Sequence, residues 1–242
     1  MDHLEDNVDT RKPLSSRSTL LFVAFIIVAQ ILIALVMYPF MPATVPIHWD
    51  AAGQVNGYGP KWVDTFLFPV INLGLFLLLR LLLNIGPRLG SINRRTNVVV
   101  VDRILAGVFL LMLIVQLTVA AQVFGIPIDS LFIISLALSG LFIYMGNYLG
   151  KLQRNFWAGI RTPWSLASDT VWERTHRLGG WLFFATGVLG LVFSFVPPLR
   201  LWGVVGLVLL DAVVLYVYSY LVYRHMESGS EGPLSPPFNS GA

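Results

Sequence analysis

Six apolar runs, each close to the about 20 residues a helix needs to cross a ~30 Å hydrocarbon core, dominate this chain. They fall at residues 19–38, 65–83, 104–123, Ser130–Leu149, 178–196 and 201–223. In hydrocarbon no water is present to bond an exposed peptide group, so a spanning segment must be a helix or part of a closed barrel. A barrel would need shorter segments in which apolar and polar residues alternate. The runs here are continuously apolar, which predicts an all-α, polytopic membrane helical bundle with six transmembrane helices. Composition agrees, with 56 % hydrophobic and 12 % charged residues and a mean hydropathy of +0.73. The first run is longer than a usual signal-peptide core and is followed by Tyr38-Pro39-Phe40-Met41, so it reads as a retained span.

Basic residues set the orientation, because lysine and arginine collect in cytoplasmic connections. Arg11, Lys12 and Arg17 precede the first run; Arg88, Arg94, Arg95 and Arg103 lie between the second and third; Lys151, Arg154, Arg161, Arg174 and Arg177 lie between the fourth and fifth; Arg224 follows the sixth. These are 13 of the 16 basic residues, whereas only Lys61 and Arg200 fall on the opposite side. Both termini are therefore expected in the cytoplasm. The same distribution places the net charge of +3 at the ends of spans and not on one stripe, so no direct nucleic-acid partner is expected. Cysteine is absent, which excludes disulfides, thiolate metal sites and cysteine nucleophiles.

The expected organisation has four parts. Residues 1–17 and the Ser-, Gly- and Pro-rich residues 227–242 read as disordered ends. Residues 18–123 form an N-terminal membrane region with an ordered outer loop at 39–64, and residues 124–226 a second membrane region with an inner loop at 150–180.

Two loops carry more chemistry than a connection requires. In the outer one, Val45-Pro46-Ile47-His48-Trp49-Asp50 with Gly53, Asn56-Gly57 and Gly59-Pro60 predicts an extended segment followed by tight turns. One histidine and one carboxylate make no metal set, so His48 and Trp49 read as turn structure, interfacial anchoring or ligand contact. In the inner loop, Thr162-Pro163 breaks any helix arriving from the fourth span. Ser168 then suits an N-cap and Asp169 the positive first turn of a short amphipathic helix over residues 169–178, closed by Gly179-Gly180. On that helix Trp172 and His176 share a face at spacing four, and Glu173 and Arg177 form a surface pair. If the loop folds back, Arg161 and Trp164 come near them. The same residues would also suit an interfacial helix, with tryptophan toward headgroups and arginine toward water.

Within the apolar runs, Arg80 is close enough to the inner end of its span to snorkel. Asp211 lies near the middle of the sixth run, where a carboxyl must be protonated, paired or facing water, and serves either function or the order of the bundle. Gln30, Asn72, Gln116 and Gln122 are candidate interhelical hydrogen-bonding groups. There is no HExxH or GxSxG motif and no paired intramembrane carboxylate, so no catalytic residue, metal or cofactor is expected.

The run Gly146-Asn147-Tyr148-Leu149-Gly150-Lys151, Asn155, Gly159-Ile160-Arg161-Thr162-Pro163-Trp164-Ser165-Leu166, Val171-Trp172 and Thr175-His176-Arg177-Leu178-Gly179-Gly180 resembles the signature of the SdpI (sporulation-delay toxin immunity) family of bacterial membrane proteins. The stretch Val45-Pro46-Ile47-His48-Trp49 with Gly53 and Gly57 is similar to the small domain of unknown function that commonly precedes it. The resemblance covers Tyr38 through the sixth span, with Ser165 where threonine is frequent and Asp50 where asparagine is frequent. It implies a non-enzymatic, multi-pass protein of the bacterial cytoplasmic (inner) membrane, surrounded by lipid. Such a protein confers resistance to a secreted peptide toxin or senses an envelope-stress ligand outside, and holds a transcriptional repressor inside. The implied contact residues are Asn147, Asn155, Arg161, Trp164, Trp172, His176 and Arg177 on the inner side and His48 and Trp49 on the outer side. A proton-coupled exporter of a toxic peptide, with Asp211 titrating, is the alternative from another class.

Overall fold

A computed structural model describes residues 17–50, 53–85, 94–156 and 158–229. Six of its helices are long and apolar enough to cross a membrane. They are α1 (Arg17–Met37), α2 (Lys61–Ile85), α3 (Arg94–Val123), α4 (Ser130–Leu149), α6 (Asp169–Ser194) and α7 (Trp202–Gly229), with the one-turn helix α5 (Pro163–Ala167) in the inner loop. Large apolar side chains such as Phe25, Leu32, Val70, Leu77, Val213 and Leu221 are exposed, a surface that suits lipid and would be untenable in water. The chain is a multi-pass membrane protein with an all-helical bundle, as its apolar runs predict.

Most residues expected in the two terminal tails lie outside the described residues, although α1 already begins at Arg17 and α7 continues through Gly229. The outer loop closes more regularly than an extended segment with turns. Strands β1 (Thr44–Trp49) and β2 (Val55–Pro60) pair antiparallel, with Thr44 opposite Pro60 and His48 opposite Gly57. Gly53, at φ +80°, supplies the left-handed residue of the turn. Lys61 ties this hairpin to the end of α1: its Nζ donates to the Tyr38 and Met41 carbonyls at 3.0 and 3.2 Å and lies 4.4 Å from the centre of the Tyr38 ring.

The helices pack as two triads, α1–α2–α3 and α4–α6–α7, joined where α3 meets α4. Amides link the first triad. Asn72 Nδ2 donates to Gln30 Oε1 at 2.7 Å, and Gln116 Nε2 donates to the Gln30 carbonyl at 3.3 Å, all three residues being buried. In hydrocarbon such groups have few other partners, so they hold helices together. Asp211 does not join them. Its Oδ2 accepts from Thr186 Oγ1 at 2.7 Å, a bond from α6 to α7. Arg80 does not snorkel freely either: it is ion-paired to Asp102 of α3, a carboxylate that a span beginning at residue 104 leaves out of account.

The second triad is held by missing side chains. A Cβ on Gly146 would lie 2.7 Å from the Gly180 carbonyl oxygen, one on Gly180 2.9 Å from the Gly146 oxygen, and one on Gly187 2.6 Å from both the Ile143 nitrogen and the Ser139 oxygen. The backbones of α4 and α6 are therefore in contact, the arrangement that small residues permit between membrane helices. This overturns the reading of Gly179-Gly180 as a helix stop. The pair lies inside the continuous helix Asp169–Ser194, where glycine serves close approach and not termination. Replacing Gly146 with leucine should disrupt α4–α6 and lower the thermal unfolding midpoint in detergent, at a cost of about 3 kcal/mol. Gly74→Ala, where the added Cβ meets nothing within 4 Å, should leave the midpoint nearly unchanged.

Candidate functional site

Thr162-Pro163, which would stop an arriving helix, starts one here. Thr162 is the N-cap of α5 and Pro163 its first residue, a position where the missing N–H costs nothing. Thr162 and Ser165 form a reciprocal capping box: Ser165 N donates to Thr162 Oγ1 at 3.1 Å, and Thr162 N donates to Ser165 Oγ at 2.9 Å. Ser165 Oγ also donates to the Ile160 carbonyl at 2.8 Å, which ties the turn back to the preceding strand of chain. Ser168 caps α6 from its side chain, and Asp169 occupies the first turn as expected.

At the centre of the loop Trp172 and His176 stack, with ring centres 4.0 Å apart and planes 18° from parallel. Both are buried. The indole Nε1 donates to the Leu152 carbonyl at 2.7 Å. His176 Nε2 accepts from the Ile160 N–H at 2.9 Å, and Nδ1 lies 2.9 Å from the Trp172 carbonyl oxygen. A carbonyl only accepts and a peptide N–H only donates, so the ring must be the neutral tautomer protonated on Nδ1. A doubly protonated ring would lose the Ile160 bond. Gly159, at φ +110°, completes the fit, since a Cβ there would collide with His176 Nε2. Two aromatic side chains of α6 therefore pin both limbs of the loop, at Leu152 and at Ile160.

The other sequence candidates do not converge on this pair. Arg161 is exposed and donates to the Phe156 carbonyl at 2.7 Å, so it does not stack on Trp164. Trp164 instead packs on α7, with ring centres 5.0 Å from both Tyr216 and Tyr220. Arg177 is exposed and paired with Glu173 at 2.6 Å. Asn155 is buried and shapes the loop: its Nδ2 donates to the Gln153 carbonyl and its Oδ1 accepts from Ala158 N, each at 2.8 Å. Asn147 is exposed on α4 and bonds its own helix, at the Ile143 carbonyl.

Four residues that spacing did not single out hold the loop: Gly159, Thr162, Ser165 and Arg154. Arg154 bridges the two limbs, with Nε donating to Asp169 Oδ1 at 2.6 Å and Nη1 to the Leu166 carbonyl at 2.7 Å. A cleft of about 450 Å³ opens beside it, lined by Lys151, Gln153, Arg154, Asp169, Trp172 and Glu173. Its rim mixes both charges, a composition suited to a polar protein surface or peptide and not to one small ligand. On the opposite side of the bundle His48 is exposed. Its Nδ1 donates to Asn56 Oδ1 at 2.5 Å, and Asp50 Oδ1 accepts from Gln54 N at 2.9 Å within the hairpin turn.

The lock makes a specific demand on residue 176. Phenylalanine would keep a ring over Trp172 but leave the Ile160 N–H without its acceptor, a loss of about 1–3 kcal/mol. His176→Phe should therefore insert normally yet expose residues 153–162 to limited proteolysis. Unchanged protease resistance would show that the imidazole bonds do not hold the loop.

Comparison with known proteins matches two separate stretches of the chain. Residues 151–219 match the SdpI/YfhL protein family, and residues 25–73 match a domain of unknown function, DUF1648. The chain is 25 % identical over 202 residues to the immunity protein SdpI of Bacillus subtilis (strain 168), covering 83 % of this chain and 94 % of that protein. No solved structure matches. The loop locked by Trp172 and His176, together with α6 and most of α7, thus lies within the stretch that matches the SdpI/YfhL family, and Gln30 and Asn72 lie within the stretch that matches DUF1648.

Proposed function

We propose that this chain is an immunity and signalling protein of the bacterial cytoplasmic membrane, which meets a toxic peptide or envelope-stress ligand on its outer face and recruits a transcriptional repressor through its inner loop. The carrying observation is the division of labour in that loop. Its buried side chains, Trp172, His176, Asn155 and Ser165, spend their polar atoms on the loop's own backbone. Of its exposed ones, Lys151, Gln153 and Glu173 line a cleft, Arg177 is paired with Glu173, and Arg161 is exposed elsewhere on the loop. A rigid frame carrying a charged face is a docking device, and the likeness to an immunity protein over nearly its full length gives that device its context. The outer hairpin, fastened to α1 by Lys61, offers His48 and Trp49 to the other side.

The reading is tested by expressing the chain in a Bacillus subtilis strain that lacks its own SdpI and co-culturing it with toxin-producing cells. Survival is expected. Trp172→Ala should abolish it or the signalling output, because the indole's removal frees the Leu152 limb and takes away the ring stacked on His176. Charge reversal of the exposed pair, Glu173→Arg with Arg177→Glu, keeps the pair and the fold but inverts the face, and should weaken repressor recruitment about tenfold. Sensitivity of the cells despite correct insertion would refute the reading. Asp211→Asn separates it from a proton-coupled exporter: the amide oxygen can still accept from Thr186, so protection should persist, whereas an exporter that titrates Asp211 would lose it.

A further inference from the structure

We infer that the seam between the two triads binds the acyl chains and headgroup of an anionic phospholipid. A groove of about 660 Å³ runs between α1, α3 and α4, with Phe22, Gly107, Leu111, Ile114, Gly140 and Leu141 among its lining residues. Its floor is apolar along most of its length. Its polar end is formed by Arg103, Tyr144 and Tyr148, on the side of the bundle where Lys and Arg collect. That charge asymmetry assigns the end to the cytoplasmic leaflet. From Arg103 to Ile114 the α3 axis advances about 17 Å, close to the half-thickness of a ~30 Å hydrocarbon core. A lipid of one leaflet therefore fits with its headgroup at Arg103.

The charge at that end favours an anion. The Arg103 guanidinium lies 5.5 Å and the Lys151 ammonium 4.8 Å from the centre of the Tyr148 ring, so two cations share one aromatic support. Among the described residues neither forms an ion pair with a carboxylate, in contrast to Arg80, Arg154, Arg177 and Arg200, which all do. Two cations that form no ion pair with a carboxylate among the described residues, beside two tyrosines at a membrane interface, are the donor set for a phosphodiester. The slot also has room. A Cβ on Gly140 meets nothing within 4 Å, so a larger side chain there enters the groove and not the packed α4–α6 face.

The test uses the full chain in detergent, with native mass spectrometry after titration with phosphatidylglycerol or phosphatidylcholine. Phosphatidylglycerol should be retained about tenfold more strongly by the unmodified chain. Arg103→Ala with Lys151→Ala should remove that preference while leaving weak binding of both lipids, and Arg224→Ala, a basic change at the same end but off the groove, should leave the preference intact. Gly140→Leu, checked by an unchanged unfolding midpoint without lipid, should reduce retention of both lipids by filling the slot. Equal retention of the two lipids by the unmodified chain would overturn the proposal. So would a preference that survives the double substitution, displacement of the bound species by inorganic phosphate alone, or a dimer mass that grows as lipid is removed, which would give the groove to a second copy.

Discussion

With no side chain at Gly146, Gly180 or Gly187, α4 and α6 touch backbone to backbone, and the position of the whole inner loop follows from that contact. Helix α4 delivers one limb of the loop at Leu149, and α6 receives the other at Asp169. Held at this separation, the first two turns of α6 stand directly against the chain leaving α4. The Trp172 indole then reaches the Leu152 carbonyl, and the His176 ring reaches the Ile160 N–H. Larger residues at the crossing would spread the helices and move both donors and acceptors out of range. The loop is rigid because its anchor points lie on one continuous helix, not on a separate short one.

Much of this was legible in the sequence, and the parts that were not share a cause. Run length and continuous apolarity decide six membrane helices, because the bilayer imposes both. Ser168 as a cap and the Trp172–His176 spacing are local properties, readable from neighbours three and four residues away. Gly179-Gly180 is different. Glycine ends helices in water but allows helices to meet in lipid, and only the position of α4 decides between the two. Arg161 was drawn toward Trp164 by proximity in sequence, yet Tyr216 and Tyr220 of α7 claim that indole across some fifty residues. Hydropathy draws a span from its apolar residues and so leaves Asp102 outside it, whereas α3 extends several residues further and brings that carboxylate to Arg80.

Polar groups inside the bundle are divided in the same way as the helices. Gln30, Asn72 and Gln116 join the first triad, and Thr186 with Asp211 joins α6 to α7 in the second. Each set acts within its own triad, so neither strengthens the boundary between them. That boundary is made by α3 against α4, by Val100 of α3 packed in one apolar cluster with Leu149, Leu152 and Trp172, and by Gln153 N donating to Asn97 Oδ1 of α3 at 2.9 Å, and it is where the groove opens.

The seam also bears on how an outer event could reach the inner loop. The outer hairpin is fastened to α1 and α2 through Lys61, in the first triad, whereas the loop belongs to α4 and α6, in the second. A ligand at His48 and Trp49 can bias the loop only if the triads have two relative arrangements that differ in contact with it, since a ligand shifts an equilibrium by no more than its differential affinity. Rotation across α3–α4 would supply such arrangements; it leaves both polar sets intact but has to break the Asn97–Gln153 bond and shift Val100 against Trp172, so it would act directly on the loop. A lipid wedged between α1, α3 and α4 would favour one of them, which makes the composition of the inner leaflet a third input to the same equilibrium.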